Sequence, residues 1–260
     1  MSSTLISTSG NRYLSPVEDS AIYKEQVEAE GYAIIDHVFS SAQADAIARL
    51  IERADASRSA FRKTADLFAI RQVLKEIPEV HPLVFTASLR AVIRSVFGAG
   101  YHVAKSIYFD KPAASNWFVS YHQDLTISVK EKAELAGFGP WTKKQDQYAV
   151  QPPQGMLEQN FTIRIHLDDT NADNGALRVV PGSHKKGIYR PETIDWNTEK
   201  ERLCPVLKGG VMIMRPLLLH ASSRTTNDQR RRVIHIEFSN QALPAPLSYG
   251  EYLDYDTLAG

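Results

Sequence analysis

Past Gly100 the chain is cut at short intervals by turn-forming pairs, and this punctuation restricts the fold more than any other feature of the sequence. The stretches 103–110, 117–123, 161–167, 175–180, 210–214 and 231–238 read as strands. Lys111-Pro112, Asn174-Gly175, Pro181-Gly182 and Gly209-Gly210 bound them. Many short strands with turns between them call for an antiparallel sandwich or barrel. The first hundred residues differ in character. Ile22, Val27 and Ala29 are spaced for a helix over 18–30, which Gly31 stops before a short apolar strand over 32–36. Ser40 or Ser41 caps a second helix over 42–54, and two further helices are predicted over 66–76 and 88–97. A helical layer followed by such a strand region is α+β in class: a jelly-roll core, or double-stranded β-helix, with the N-terminal helices packed outside.

At 260 residues the chain fits one elaborated domain, 1–260, because barrels and sandwiches commonly reach this size as a single unit. Residues 1–15 are rich in Ser and Thr without periodic apolar positions and read as a loose leader. A formal net charge of zero draws the chain toward neither nucleic acid nor an anionic membrane. Cys204 is the only cysteine and cannot form an internal disulfide, and no segment resembles a secretion signal or a membrane span. These features predict a soluble, cytoplasmic protein. The connection over 125–160, with Trp141, four lysines and Pro152-Pro153, is too long for a turn. It is expected to be a lid or binding element, the alternative being a partly disordered insertion.

Chemistry is suggested by His122-Gln-Asp124, where a His and a carboxylate two positions apart on a strand end point to one side. A non-haem iron(II) site takes two imidazoles and one carboxylate on one face and leaves the other positions open. His220, just beyond the apolar run 211–214, is a candidate for the second imidazole. The short motif is not unique, since His166-Leu-Asp168 matches it and His235-Ile-Glu237 matches its Glu variant. Thr162, Arg164, His166 and Asp168 form an alternating polar row that either faces water or lines a cavity, and an Arg beside His166 opposes a cation there.

Phe109-Asp-Lys-Pro112, Asn116-Trp117, His122-Gln-Asp124, Asn174-Gly-Ala-Leu177, Pro181-Gly-Ser-His184, His220-Ala-Ser222 and Arg231 together resemble the phytanoyl-CoA dioxygenase family of iron(II)- and 2-oxoglutarate-dependent oxygenases. Gly31-Tyr-Ala-Ile-Ile35 extends the resemblance toward the N-terminus. It implies that His122, Asp124 and His220 bind iron and that the competing pairs do not. It also implies that an Arg downstream of the distal His holds the far carboxylate of 2-oxoglutarate. Strand alternation favours Arg231 over Arg230 and Arg232, because Arg231 shares a face with His235 and Glu237. A guanidinium can grip a carboxylate with two parallel hydrogen bonds, which Lys cannot. Ser222 is implied as its helper, and Tyr108 and Arg164 as contacts to cosubstrate or substrate. Pro181-Gly-Ser-His184 is expected to be a structural turn. The resemblance further implies hydroxylation of an unactivated C–H bond of a small molecule, with O2 consumed and succinate and CO2 released. The halogenating members of this architecture lack the carboxylate supplied here by Asp124. A cupin-like metal-binding or isomerase domain without 2-oxoglutarate chemistry is the alternative. It requires no dedicated clamp such as Arg231 with Ser222. No concentrated basic patch in the sequence points to the phosphates of coenzyme A.

Overall fold

The computed structural model describes residues 20–54, 60–64, 68–144 and 147–257. The leader proposed at 1–15 lies outside them. The first elements among the described residues are helix α1 (Ser20–Glu30), strand β1 (Tyr32–Ile35) and helix α2 (Ser41–Glu52). Ser40 caps α2: its hydroxyl accepts the Gln43 amide N–H at 3.2 Å while the Gln43 side chain accepts the Ser40 N–H at 2.8 Å. Ala44, Ile47, Ala48 and Ile51 are all buried, so one stripe of α2 faces the core. Strands β2 (Phe61–Lys63) and β3 (Phe68–Arg71) follow, then helices α3 (Val73–Glu76), α4 (His81–Val84) and α5 (Ala87–Phe97), the last capped by Thr86.

The helix predicted over 66–76 is therefore corrected in its described part to a strand followed by a single helical turn. Ala69 and Arg71 register against Phe109 and Ile107, and Gln72 at φ 54° ends the strand in the left-handed region. The remaining strands are β4 (His102–Lys111), β5 (Val119–His122), β6 (Ile127–Val129), β7 (Trp141–Lys144), β8 (Gln147–Val150), β9 (Phe161–His166) and β10 (Leu177–Val179). They are followed by β11 (Arg202–Cys204), β12 (Val211–Met214), β13 (His220–Ser222) and β14 (Arg231–Ser239). Helix α6 (Gln154–Gln159) leads into β9.

Three antiparallel sheets result. The largest runs β1-β12-β9-β14-β4-β3-β2, a smaller one runs β11-β10-β13-β5, and the third is β6-β8-β7. Because side chains alternate along a strand, the large sheet has two unlike faces. Ile70, Ile163, Ile165, Ile213, Ile234 and Ile236 point outward into the core shared with α2, α4 and α5. The opposite face turns toward the small sheet, where Met212 and Met214 pack against Leu177, Val179 and Cys204. Thr162, Arg164 and His166 lie on this inner face and are buried, so the polar row lines the interior and does not face water.

The connection over 125–160 is ordered in its described residues. Sheet β6-β8-β7 folds on its own small core of Ile127, Val129 and Val150, with Trp141 packed against it and Tyr249 closing one side. Trp141 is thus occupied by packing, whereas Ser128, Thr142 and Ala149 register on the other face of this sheet. Among the described residues no single helix is long and apolar enough to cross a membrane.

The C-terminal segment is tied to β4 by Glu251, whose carboxylate accepts the Ser106 N–H at 2.6 Å and the Ser106 hydroxyl at 2.7 Å. Burial pushes this carboxyl up to about 7 from an ordinary value of 4.5. The folded state thus holds the proton more tightly than the unfolded chain does. The associated stability is complete below the ordinary carboxylate range and is lost as pH rises through about 7. Glu251→Gln, which cannot ionise, should therefore gain on the wild type by on the order of 2 kcal/mol between about pH 5 and about pH 8, read from urea unfolding midpoints.

Candidate active site

The short pairing of β13 with β5 sets His220 directly opposite His122. Their ring centroids are 4.1 Å apart. In each ring Nδ1 is engaged by a carbonyl two residues back, Ser120 O at 2.8 Å for His122 and Leu218 O at 2.9 Å for His220. A carbonyl only accepts, so Nδ1 carries the hydrogen and Nε2 keeps its lone pair. Both lone pairs face Asp124: His122 Nε2 lies 4.0 Å from Oδ1 and His220 Nε2 lies 3.8 Å from Oδ2. Burial lowers His220 to about 4, which keeps it a neutral ligand. Burial also works against the Asp124 carboxylate, but its electrostatic interactions with the neighbouring His220, His235, Lys105 and His122 side chains outweigh it and hold the group well below the usual range.

Donor atoms of His122, Asp124 and His220 all lie within 4.8 Å of one another, and Asp124 Oδ2 is buried with no hydrogen-bond partner. Two lone pairs and a buried, unsatisfied carboxylate oxygen aimed at one point suit a divalent cation, which would remove the cost of that orphaned oxygen. Gln123, between His122 and Asp124, points the other way and locks the strand end. It donates to Gly187 O and Leu217 O and accepts the Tyr189 N–H at 2.8 Å.

The competing pairs are committed elsewhere. Asp168 binds Arg232 through both its oxygens, at 2.6 and 2.9 Å. His166 is driven well below its ordinary value by burial and by the charges of Arg164 and Arg231, which also repel a metal ion. Asp124, His235 and Glu237 form a second group of close donors. Both nitrogens of His235 are nevertheless taken: Nδ1 accepts from Arg164 at 3.1 Å and Nε2 donates to Glu237 at 3.1 Å. Glu237 is further held by Lys105 at 2.6 Å.

Beside the three candidate ligands a cavity of about 330 Å³ opens between the sheets. Arg231, Ser222 and Arg164 line it together with His122, Asp124 and His220, and Phe109 and Trp117 supply an apolar wall. Arg231 is buried, with Nη1 donating to Gly175 O at 2.6 Å and Nε left without a partner. Burial first, and the Arg164 charge second, push it down to about 9. A guanidinium stays protonated in proteins, so the shift expresses the cost of holding this cation buried beside a second one. Gly175, at φ 85°, is required here, since a Cβ would stand 2.8 Å from Ser223 O and 2.9 Å from Lys111 Nζ.

Tyr108 is a correction. It lies on the outer face of β4, fully buried among the helices and edge-on to Phe68, whereas its neighbours Lys105, Ile107 and Phe109 face the cavity. It cannot reach a cosubstrate held between the sheets. In Pro181-Gly-Ser-His184, Ser183 receives the Leu219 N–H at 2.9 Å and so supports the strand that carries His220; His184 lies in a separate cleft. Lys105 and Gln123 were not singled out from sequence, because neither belongs to a motif with a fixed chemical role.

The sequence model of the phytanoyl-CoA dioxygenase (PhyH) family matches residues 27–233. The chain belongs to this family. Over 116 residues it is 31% identical to a probable alpha-ketoglutarate-dependent hypophosphite dioxygenase of Stutzerimonas stutzeri, covering 38% of this chain and 40% of that protein. Over 148 residues it is 27% identical to an L-proline trans-4-hydroxylase of Streptomyces griseoviridis, covering 46% and 54%. The chain thus aligns with about half the length of these curated relatives. Among solved structures, EctD of S. alaskensis superposes with a TM-score of 0.65 at 17% identity, covering 90% of this chain and 80% of that one. The carbocyclase SnoK of nogalamycin biosynthesis gives 0.63 at 17% identity, covering 90% and 87%. These likenesses fix the fold of this PhyH-family chain as antiparallel sheets with helices.

His220→Ala and Asp124→Ala should each weaken Fe(II) binding by about 100-fold or more, measured by anaerobic equilibrium titration. Asp168→Asn, at the decoy pair, should leave it within a factor of about three, the mark of a residue outside the coordination sphere.

Proposed function

We propose that this PhyH-family chain is an Fe(II)- and 2-oxoglutarate-dependent oxygenase that hydroxylates an unactivated C–H bond of a small molecule. It would work as a single domain built on a double-stranded β-helix. The observation that carries the reading is the shared cavity: the three metal-ligand candidates and the buried Arg231 open onto the same space. A cupin-like metal protein has no need of a buried, partly unsatisfied guanidinium there.

In this reading His122, Asp124 and His220 would hold Fe(II) beside the cavity. Asp124 cancels one of the ion's two charges. When bound, Fe(II) and 2-oxoglutarate supply the oxidising chemistry, in which O2 is consumed, the keto acid becomes succinate and CO2, and a hydroxyl is transferred to substrate. The chain contributes positioning. Arg231 binds the distal carboxylate through its unfilled donor face, and Ser222, opposite Leu177 on β13, assists it. Arg164 is held by His235 with its Nε unsatisfied, and it is assigned to an anionic group of cosubstrate or substrate. Phe109 and Trp117 limit water around the reacting centre, which protects the reaction from uncoupled oxidation. The carboxylate at residue 124 favours hydroxyl transfer over halogenation, because halide binding needs a ligand position that Asp124 fills. Two curated relatives named as a dioxygenase and a hydroxylase support the same class.

Anaerobic addition of 2-oxoglutarate to the Fe(II) protein should produce a weak visible charge-transfer band. Arg231→Ala should raise the cosubstrate concentration for half-formation by about 100-fold, the loss of a buried charge-assisted pair. Tight Zn(II) binding with no such band would instead favour the cupin-like reading.

A further inference from the structure

The third sheet has one face that folding alone does not explain. Its other side packs Ile127, Val129 and Val150 against Ala104 and Tyr249. Thr126, Ser128, Thr142 and Gln147 line the cavity instead, together with Ala149. Among the described residues none of these four polar side chains has a hydrogen-bond partner. On a surface turned to water that would be ordinary, but this face meets the space shared with the metal-ligand candidates.

Register fixes how the four are arranged. Ser128, Ala149 and Thr142 sit opposite one another on β6, β8 and β7, so the two hydroxyl-bearing residues stand about 10 Å apart with only a methyl group between them. Gln147 lies two residues along β8 on the same side, roughly 7 Å from Ala149. Thr126, two residues after Asp124, carries the polar lining toward the metal side. The Gln147 Nε2 is buried and unpaired. Gly250 packs close by, but its N–H already donates to Ser128 O at 2.8 Å and its carbonyl already accepts from Gln72 Nε2 at 3.1 Å. An amide nitrogen only donates, so the partner it lacks is an acceptor, and an oxygen brought by a ligand would offset the cost of leaving it unpaired.

The charged groups of the lining are occupied elsewhere. Lys105 pairs with Glu237 at 2.6 Å, Arg164 is held by His235 at 3.1 Å, Arg71 is engaged and Arg62 is exposed. In the reading above, Asp124 is taken by the metal and Arg231 by the cosubstrate. We infer that the primary substrate ends in a neutral, oxygen-bearing group, a hydroxyl or an amide-type carbonyl, seated over Ala149 between Ser128 and Thr142 and accepting a hydrogen bond from Gln147. The rest of the molecule runs past Thr126 toward the metal side. Gln147 is thus a specificity-determining residue, and the sheet within the 125–160 connection is the element that reads the substrate.

The inference rests on the oxygenase reading, and one set of samples separates the two. Protein loaded anaerobically with Fe(II) and saturating 2-oxoglutarate is titrated with four small probes by saturation-transfer NMR: neutral acetamide and glycerol, and charged acetate and methylammonium. Wild type should bind a neutral probe more tightly than either charged one, acetamide leading for a carbonyl terminus and glycerol for a hydroxyl. Gln147→Leu should weaken that binding by about fivefold or more, the loss of one hydrogen bond. Gln147→Glu, which keeps the shape but replaces the donor with a carboxylate, should weaken it as much and make methylammonium the preferred probe. An unchanged 2-oxoglutarate charge-transfer band in both variants shows an intact fold. With the band present, a charged probe preferred by wild type, no neutral probe bound, or neutral binding indifferent to both substitutions would overturn the inference and leave the oxygenase reading standing. If no band forms in wild type, the oxygenase reading falls. The same comparison on metal-free protein then still decides, because neutral-probe binding that ignores Gln147→Glu contradicts the proposed seat.

Discussion

The centre depends on the pairing of two very short strands, β5 and β13, which places one imidazole directly across from another. Facing residues on adjacent strands approach to about 5 Å, a spacing that suits two ligands of one ion. Carbonyls at Ser120 and Leu218 then fix both tautomers, and Asp124, just past the strand end, supplies the charge. None of these groups is well satisfied by the protein alone. An orphaned carboxylate oxygen, a buried guanidinium with an open donor and a neutral buried His are what a site for a cation and an anion would present, as proposed above.

The large sheet makes this arrangement affordable by dividing labour between its faces. On β14, Arg232, Ile234 and Ile236 point outward to an ion pair and to the helical core, while Arg231, His235 and Glu237 point inward. The outer face supplies apolar burial, worth about 2 kcal/mol for each large aliphatic side chain. That stabilises a sheet whose inner face carries charges that are costly to bury. The inner charges are then mostly paired in sequence across strands, Arg164 to His235 to Glu237 to Lys105, a row that crosses β9, β14 and β4.

Much of this was legible in the sequence, and the failures have physical causes. The seven predicted strands all appear within about two residues of their expected bounds, because turn pairs and β-branched runs act locally. Strand β3 reads as helix from sequence: four residues with three consecutive apolar positions fit either period, and only pairing with β4 decides. Strands β6, β7 and β8 were hidden inside a polar connection, since each is three or four residues long and is stabilised by its neighbours more than by its own composition. Alternation named Thr162, Arg164 and His166 as one row but could not say whether it met water or a cavity; the small sheet opposite settles that. Tyr108 was misplaced because both faces of β4 mix polar and apolar residues, so sequence gave no preferred side. The union of His220 with His122 is a matter of register between strands far apart in the chain, which motif spacing alone could not fix.

The central claim is that three distant side chains and one guanidinium define a single metal-and-keto-acid site. A crystal structure of the protein with Ni(II) in place of iron and with 2-oxoglutarate, the metal located by anomalous scattering, tests it most directly. The account predicts one ion on His122 Nε2, His220 Nε2 and an Asp124 oxygen, at bond lengths of about 2.0–2.2 Å, with the far carboxylate of the keto acid on Arg231. An ion seated instead on His235 and Glu237, or a keto acid with its far end away from Arg231, would contradict it.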